Sequence, residues 1–195
     1  MKPDYWDAAC RELSRGDPFQ TLARSIVGQQ ISVKAAQAVW DRVLVAACEL
    51  SPERIGRMRA STLQRCGLSQ RKVEYVKDLA AHFRSGEVNP AHWSLLDDEA
   101  IIGELVKVRG IGRWTAEMFL IFNLLRPDVF PVDDLGLLKA IGLHYGGTDG
   151  TESTAAVAGR AAREHAIRVG ARFRPWRTVA TWYLWRSLDP VPVDY

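Results

Sequence analysis

The sequence has few cysteines and no cysteine cluster. The three present, Cys10, Cys48 and Cys66, are odd in number and far apart, and no Cys-x-x-Cys pair occurs. Such usage is typical of a reducing cytosol and argues against a disulfide framework, a structural zinc site or an iron–sulfur cluster. The chain also lacks an apolar run of the roughly 20 residues that cross a bilayer, and its N-terminus lacks the apolar segment of a signal peptide. We therefore expect a soluble, cytoplasmic protein that does not contact a membrane.

The periodicity of β-strands is absent as well. No alternation of apolar and polar residues lasts for more than a few positions, whereas apolar residues recur at helical spacing almost throughout. The sequence therefore predicts an all-α protein of many short helices, the last two near residues 152–168 and 176–188. With 195 residues, 47% of them hydrophobic, the chain can form one sizeable core or two lobes that share a cleft.

Charge is unevenly distributed along the chain. The net charge is only +3, which permits nucleic-acid binding without demanding it. Residues 160–186 contain seven arginines and a single acid, whereas residues 97–104 are rich in aspartate and glutamate. We expect one basic face and one acidic face.

The most informative segment is residues 105–116. Apolar residues at helical spacing run into Gly110-Ile111-Gly112, after which a second helix begins. Two glycines allow a tight turn, and the N–H groups and positive dipole end of the second helix can bind a phosphate. An ordinary helical hairpin with a glycine C-cap is the alternative. Basic residues around the turn favour a helix-hairpin-helix that grips nucleic-acid backbone: Lys107, Arg109 and Arg113.

Two adjacent carboxylates, Asp133 and Asp134, follow the hairpin by about twenty residues and precede a helix. Aspartate at such a position is a routine N-cap. The same geometry orients a carboxylate, and one that faces a cleft beside the DNA could stabilise a positively charged sugar or deprotonate an attacking water. Both interpretations are open from the residues alone.

Four segments together resemble the helix-hairpin-helix (HhH-GPD) DNA glycosylases, and specifically the bacterial 3-methyladenine DNA glycosylase II group. They are Ser-Ile-Val-Gly-Gln-Gln-Ile-Ser-Val-Lys-Ala-Ala at 25–36, Val-Arg-Gly-Ile-Gly-Arg-Trp-Thr-Ala at 108–116, Asp-Val-Phe-Pro-Val-Asp-Asp-Leu at 128–135 and Pro-Trp-Arg at 175–177. The resemblance spans residues 18–188.

The resemblance implies an architecture of two helical lobes flanking a DNA-binding cleft. One lobe comprises residues 22–125 and ends in the helix-hairpin-helix at 105–120. The other combines residues 1–21 with residues 126–195.

The resemblance also implies roles for the motif residues. The essential aspartate of the family falls on Asp134, and Asp133 helps to shape the helix start. Gly110, Gly112 and Thr115 would hold a DNA phosphate, together with a possible monovalent cation at the hairpin backbone. No cofactor or other metal is implied.

Trp114 separates the chain from the strand-cutting branch of the superfamily. Glycosylases that also cut the strand are expected to carry a lysine here, which forms a Schiff base, and a tryptophan cannot do so. The missing cysteine cluster separates the chain from the endonuclease III branch. A monofunctional enzyme that uses water is therefore expected.

Several aromatic residues are candidates for a base pocket. Electron-rich rings attract a base made cationic by alkylation. Trp185 aligns with a stacking aromatic and Trp114 lies at the hairpin, while Trp182 could line the pocket or pack inward. Met118 or Leu135 takes the place of a pocket tyrosine in the family representative. Three other tryptophans are expected to pack in the core instead: Trp6, Trp40 and Trp93.

A target base must be swung out of the duplex, and something must fill the gap. The loop Gly28-Gln29-Gln30-Ile31-Ser32 occupies the position of the family's wedge, with Gln30 aligned to the inserted residue and Gln29 beside it. A simple polar turn between helices is the alternative.

The expected reaction is hydrolytic excision of alkylated purines, such as 3-methyladenine or 7-methylguanine, from double-stranded DNA. The expected partner is DNA that contains alkylated bases, which would place the protein at the bacterial nucleoid. A monomer is sufficient for this reaction. Two alternatives are a helix-hairpin-helix DNA-binding module without catalysis and a helical scaffold that binds protein.

Overall fold

The fold is all-helical, as predicted. The protein is described from a computed structural model that covers residues 16–146 and 159–188, and within these ranges there is no strand. Trp6, part of the helix predicted near 152–168 and part of the predicted 1–21 segment lie outside the described residues. The chain divides into two compact units, Met1–Leu124 and Leu125–Tyr195.

The first unit is built from short helices whose starts follow local rules. Asp17 caps the first of them, with its Oδ1 accepting a hydrogen bond from Gln20 N at 2.8 Å, and Pro18 follows at the first helical position. Ser32 and Ser69 cap later helices through their hydroxyl oxygens. The elements are α1 (Pro18–Gly28), α2 (Val33–Ala47), α3 (Pro52–Arg57), α4 (Ala60–Arg65), α5 (Gln70–Ser85), a 3-10 turn (Pro90–Leu95), α6 (Asp98–Leu105) and α7 (Arg113–Phe122).

Helix α5 lies at the centre of this unit, with α1 and α3 packed against it. Phe19 of α1 meets Phe83 of α5 edge to face, with ring centroids 5.3 Å apart. Trp40 and Trp93 are buried, as predicted. The fully buried side chains include Phe19, Leu22, Ile26, Leu79, Leu105 and Leu120.

Residues 16–21 lie in the first unit, whereas the sequence had suggested that they belong with the second lobe. The side-chain amide of buried Asn123 donates to Gly16 O at 3.3 Å and to Thr21 Oγ1 at 3.0 Å, which joins the end of α7 to the start of α1. The predicted two-lobe arrangement around a cleft stays a prediction.

The second unit contains α8 (Leu135–Tyr145), α9 (Arg160–Gly170), a 3-10 turn (Ala171–Phe173) and α10 (Arg177–Leu188). Its core forms where α8 packs against α9 and α10. Gly170 allows close approach at the end of α9, because a Cβ there would lie 2.5 Å from the ring of Phe130. The core residues are Phe130, Leu137, Leu138, Ala140, Ile141, Ala166, Val169 and Leu184.

Candidate functional site

The hairpin between α6 and α7 forms as the sequence predicts. Val108 and Ile111 are buried on either side of the turn, and Ile111 N donates to Val108 O at 3.1 Å. Gly110 has φ +89°, and a Cβ at this position would lie 2.3 Å from Cδ2 of Tyr75. Glycine is therefore required at 110 for two reasons, the left-handed backbone and the aromatic ring packed against it.

The N-terminus of α7 is open to a ligand. Gly112 is the N-cap and supplies no side-chain hydrogen bond to the first turn. A Cβ at Gly112 would meet nothing within 4 Å, so there is open space beside the backbone of this residue. The first-turn N–H groups of a helix and the positive end of its dipole favour an anion, and at this helix end Gly112 is exposed and Thr115 is half-buried.

Two of the three predicted phosphate-binding cations are already paired with acids. Arg109 Nη2 lies 3.2 Å from Glu74 Oε2. Arg113 Nη1 donates to Glu99 Oε2 at 2.9 Å, a second bond joins its Nη2 to Glu99 Oε1, and its Nε lies 3.0 Å from Glu117 Oε1. The hydrogen bond with Glu99, together with the charges of both acids, raises the pKa of Arg113 above its ordinary value.

Arg113 therefore has a structural task that the sequence analysis missed. It neutralises Glu117, whose side chain is only 4% exposed and would be costly to bury alone. The i, i+4 spacing of these two residues on α7 was the available signal. Lys107 is exposed and has no ion pair within the part of the chain that the structure describes, so its charge, unlike those of Arg109 and Arg113, is not offset by a paired acid.

The loop after α1 approaches the hairpin. Gln29 is half-buried, and its Nε2 donates to Gly110 O at 2.8 Å. Gln30 is exposed and has φ +59°. The two glutamines that the sequence grouped as wedge candidates therefore differ, because the side chain of Gln29 is bound to the hairpin whereas Gln30 projects outward.

The backbone of the turn is the predicted position of a monovalent cation. Val108 O accepts one hydrogen bond from Ile111 N, and Gly110 O accepts one from Gln29 Nε2. Each carbonyl oxygen has a second lone pair, and rings of backbone carbonyls can hold such ions. The cation stays a prediction.

Asp134 is the N-cap of α8. Its Oδ1 accepts hydrogen bonds from Leu137 N at 2.7 Å and from Trp185 Nε1 at 2.8 Å. The residue is half-buried, neither sealed into the core nor fully solvated. The capping and functional interpretations of the sequence are thus compatible, because the cap orients a carboxylate that stays within reach of solvent.

Asp133 is placed differently from its neighbour. It is exposed and pairs with Arg163 on α9, with 2.6 Å between Oδ1 and Nε. This surface pair joins the connector before α8 to α9. Asp134 is therefore the carboxylate held at the helix end, and Asp133 is a surface residue.

Gly136 is a site residue that the sequence analysis did not single out. A Cβ at this position would lie 3.2 Å from Asp134 Oδ1 and 3.4 Å from Trp185 Cδ1. The missing side chain leaves room for the indole and the carboxylate to meet.

The predicted base-pocket residues fall in both units. In the first unit, Trp114 is 46% exposed on the first turn of α7, and half-buried Met118 lies one turn later on the same face. In the second unit, exposed Leu135 follows Asp134, and half-buried Trp185 bonds to it. Trp182 does not pack inward, because it is 41% exposed.

Trp182 has partners of its own. Its ring meets Tyr183 edge to face at 5.4 Å, and the guanidinium of Arg186 lies 5.2 Å from its centroid. A stacked base would compete with Arg186 for one face of this ring, whereas the ring of Trp185 is oriented by its bond to Asp134.

The start of α10 is anchored to the connector that leads to Asp134. Arg177 Nε and Nη2 donate to Asp128 Oδ1 and Oδ2 at 2.7 and 2.9 Å. Thr178 Oγ1 donates to Arg126 O at 2.6 Å and accepts from Val129 N at 2.9 Å. Because α10 carries Trp185, these bonds help to fix the indole against the carboxylate.

The Asp128–Arg177 pair leads to a prediction about stability. Burial alone would raise the pKa of Asp128, but its hydrogen bonds with Arg177 and that residue's charge lower the pKa overall. A carboxyl whose pKa is lowered by folding stabilises the protein above its unfolded-state pKa and loses that contribution as the pH falls through the folded-state pKa. We expect D128N to lower the free energy of unfolding by about 1–3 kcal/mol at neutral pH, since charged hydrogen bonds are lost.

Denaturant unfolding of D128N and wild type at several pH values measures the difference between their free energies of unfolding. The difference should shrink as the pH falls from about 5 toward 2. E164Q, which removes a partner from the exposed Arg160–Glu164 pair, is the control and should change stability little. A difference between D128N and wild type that persists unchanged in acid would contradict the assignment.

Within the described ranges, no helix is long and apolar enough to cross a membrane. The same residues contain no cluster of three or more histidine, cysteine or acidic side chains that could hold a metal ion.

Comparisons with known proteins place this geometry in context. A family model of the HhH-GPD superfamily of base excision DNA repair proteins matches residues 23–162. DNA-3-methyladenine glycosylase 1 of Schizosaccharomyces pombe is 31% identical over 181 residues, which cover 91% of this chain and 75% of the relative.

Two solved structures are similar to the chain as well. A DNA-3-methyladenine glycosidase from Bacillus halodurans matches with a TM-score of 0.81 and 34% identity, over 90% of this chain and 77% of that one. A 3-methyladenine DNA glycosylase of Schizosaccharomyces pombe, solved in complex with abasic DNA, matches with a TM-score of 0.70 and 31% identity, over 92% and 85% of the two chains.

Proposed function

Since the chain belongs to the HhH-GPD superfamily of base excision DNA repair proteins, we propose that it is a DNA glycosylase that excises alkylated purines from double-stranded DNA. The substrate class is the 3-methyladenine and 7-methylguanine type. This proposal includes a monofunctional, type II mechanism without strand cleavage, and a monomer that acts on DNA in the cytoplasm.

The observation that carries the proposal is the position of Asp134. Two donors, Leu137 N and Trp185 Nε1, hold its Oδ1 at the start of α8 while the residue remains half-buried. A fixed carboxylate stabilises positive charge that develops on a sugar without reorganising. It can also accept a proton from an attacking water.

The chemistry of the leaving group explains why one carboxylate is sufficient. Alkylation gives the purine a positive charge, so the base departs with little help from a general acid. The enzyme must then flip the nucleotide, bind its base and stabilise an oxocarbenium-like sugar. Trp114, Met118, Leu135, Trp182 and Trp185 are the residues proposed to contact the flipped base.

The hairpin supplies the grip on the DNA backbone. Its features are the open N-terminus of α7, the exposed backbone at Gly112 and the accessible charge of Lys107. Such contacts position the strand without reading sequence, which suits an enzyme that must find a lesion in any context. Gln30, exposed at the loop, is the proposed wedge.

Base release from defined duplexes tests the proposal. We expect free base from duplexes with 3-methyladenine or 7-methylguanine and none from an undamaged duplex. Salt-sensitive DNA binding without any release would instead identify a non-catalytic helix-hairpin-helix module. Absence of DNA binding would favour a protein-binding scaffold.

The absence of a lysine at 114 leads to a second prediction. We expect borohydride to trap no covalent complex between the protein and abasic DNA, because the tryptophan has no amine to form a Schiff base. A glycosylase/lyase assayed in parallel is the positive control. A trapped complex would show that another amine performs lyase chemistry and would overturn the monofunctional assignment.

A further inference from the structure

One face of α5 contacts both the wedge loop and the hairpin turn. Lys72 Nζ donates to Val27 O and to Gln29 O, each at 2.7 Å. These carbonyls lie at the C-terminal end of α1, where a cation is favoured by the helix dipole. Lys72 therefore fixes the backbone of the loop that carries Gln30.

One turn later, the same helix holds the hairpin. The ring of Tyr75 packs against Gly110, so closely that a Cβ there would overlap it. Asp78 Oδ2 accepts a hydrogen bond from Arg109 N at 2.8 Å. The turn is thus fixed to α5 by an aromatic contact and by a charged hydrogen bond.

Gln29 joins the two parts directly. Its Nε2 donates to Gly110 O at 2.8 Å, across 81 positions of sequence, and the bond is partly buried. The backbone of Gln29 is held by Lys72, while its side chain holds the turn. The loop and the hairpin are therefore connected both through α5 and by one direct hydrogen bond.

From this arrangement we propose that Gln29 is a positioning residue that couples the phosphate-binding hairpin to the wedge residue Gln30. Its bond to Gly110 O sets where Gln30 stands relative to the strand held at the α7 N-terminus. When the hairpin binds the DNA backbone, Gln30 is then placed beside the lesion. This inference rests on the proposed function, and it removes Gln29 from the residues that enter the DNA.

The test compares Q29A with wild type in three measurements. The first is affinity for an undamaged duplex, which reports the grip. The second is the fluorescence of 2-aminopurine placed opposite an abasic analogue, which reports wedge insertion and requires no catalysis. The third is the single-turnover rate of base release from 7-methylguanine DNA.

For Q29A we expect the affinity for undamaged DNA to stay within about twofold of wild type, because the hairpin backbone remains held by Tyr75 and Asp78. The fluorescence change and the rate of base release should each fall by about five- to tenfold, the effect of one lost hydrogen bond. K72M is the second variant. It frees the loop backbone without touching the hairpin, and we expect the same pattern.

Q20A is the matched control. Gln20 lies on α1, the helix that precedes the loop with Gln29, and it is exposed; its backbone N donates to Asp17 Oδ1, and among the described residues its side chain makes no hydrogen bond to the hairpin. It should behave like wild type in all three measurements. A merely structural role for Gln29 would lower the thermal midpoint and all three signals together, whereas coupling lowers only the last two.

Two results would overturn the inference. One is a full fluorescence change in Q29A, and the other is a loss of undamaged-duplex affinity as large as the loss of fluorescence. A wild-type protein that gives the fluorescence change but releases no base would refute the proposed function and leave the coupling standing. A wild-type protein without the fluorescence change would refute the coupling.

Discussion

Replacement of Asp134 by asparagine should slow alkylated-base release by at least about a hundredfold while leaving the binding of abasic DNA nearly unchanged. A loss of this size is typical when one preorganised group that faces developing charge is removed. The negative charge of the carboxylate stabilises the cationic sugar. An asparagine side chain has nearly the same shape but lacks this charge. Single-turnover base release and anisotropy titrations with abasic duplex measure the two quantities.

The contacts of Asp134 make D134N an informative variant. Both donors, Leu137 N and Trp185 Nε1, bond to the same oxygen, Oδ1. An asparagine Oδ1 has two lone pairs and can accept both bonds. Asparagine also caps helices about as well as aspartate. We therefore expect the free energy of unfolding to change by less than about 1 kcal/mol, so that lost activity is not lost folding.

Asp133 provides the matched control one residue away. D133N makes the same chemical change and breaks only the exposed pair with Arg163, a kind of contact that contributes about 0–1 kcal/mol. Its rate of base release should stay near that of wild type. If D134N kept its turnover, or if both variants lost activity equally, the assignment of the catalytic carboxylate would be refuted.

Local features of the site could be predicted from the sequence because neighbouring residues determine them. Asp17, Ser69 and Asp97, residues of types that favour N-caps, all cap helices, since a cap needs only its own first turn. The glycine turn of the hairpin follows the same logic. Asp134 as a helix cap belongs to this group.

Long-range partners could not be predicted in the same way. Trp185 and Asp134 are 51 positions apart, and Gln29 and Gly110 are 81 apart. Nothing in the pattern around Trp185 indicates that its indole donates to a carboxylate rather than only stacking on a base. The ring that requires glycine at 110 likewise belongs to a residue on another helix.

The charges of the hairpin show the same limit. Counting Lys107, Arg109 and Arg113 as a basic patch ignores the acids that the fold brings to them. Glu74 and Glu99 reach Arg109 and Arg113 from other helices, which lowers the positive charge available to a phosphate. The sum of charges near a motif is therefore a poor guide to its potential until the partners are known.

Alanine at Gly110 and alanine at Gly112 should have different effects, although the two glycines are one residue apart. We expect G110A to lower the free energy of unfolding by about 2–5 kcal/mol. The left-handed backbone at φ +89° costs a non-glycine residue about 1–2 kcal/mol, and overlap with the Tyr75 ring adds about 1–3 kcal/mol. DNA affinity should fall as well, because the turn itself is displaced. Denaturant unfolding and anisotropy at one fixed salt concentration measure both.

G112A should separate folding from binding. Gly112 has φ −90°, which any residue can adopt, and its Cβ would meet no protein atom. The loss of stability should stay below about 1 kcal/mol, the difference between glycine and alanine at an N-cap. If a phosphate approaches this backbone, the added methyl group obstructs it, and we expect about a tenfold loss of DNA affinity, as for a lost charge-assisted hydrogen bond.

A second substitution tests the physical cause at Gly110. Serine in place of Tyr75 removes the ring that a Cβ at 110 would strike. The double variant G110A/Y75S should therefore cost less stability than the sum of its two single variants, because the overlap exists only when ring and methyl group are both present. The backbone strain remains in the double variant, so the recovery should be partial. Strict additivity would show that Tyr75 does not constrain the turn, and normal DNA affinity in G112A would show that no phosphate approaches this end of α7.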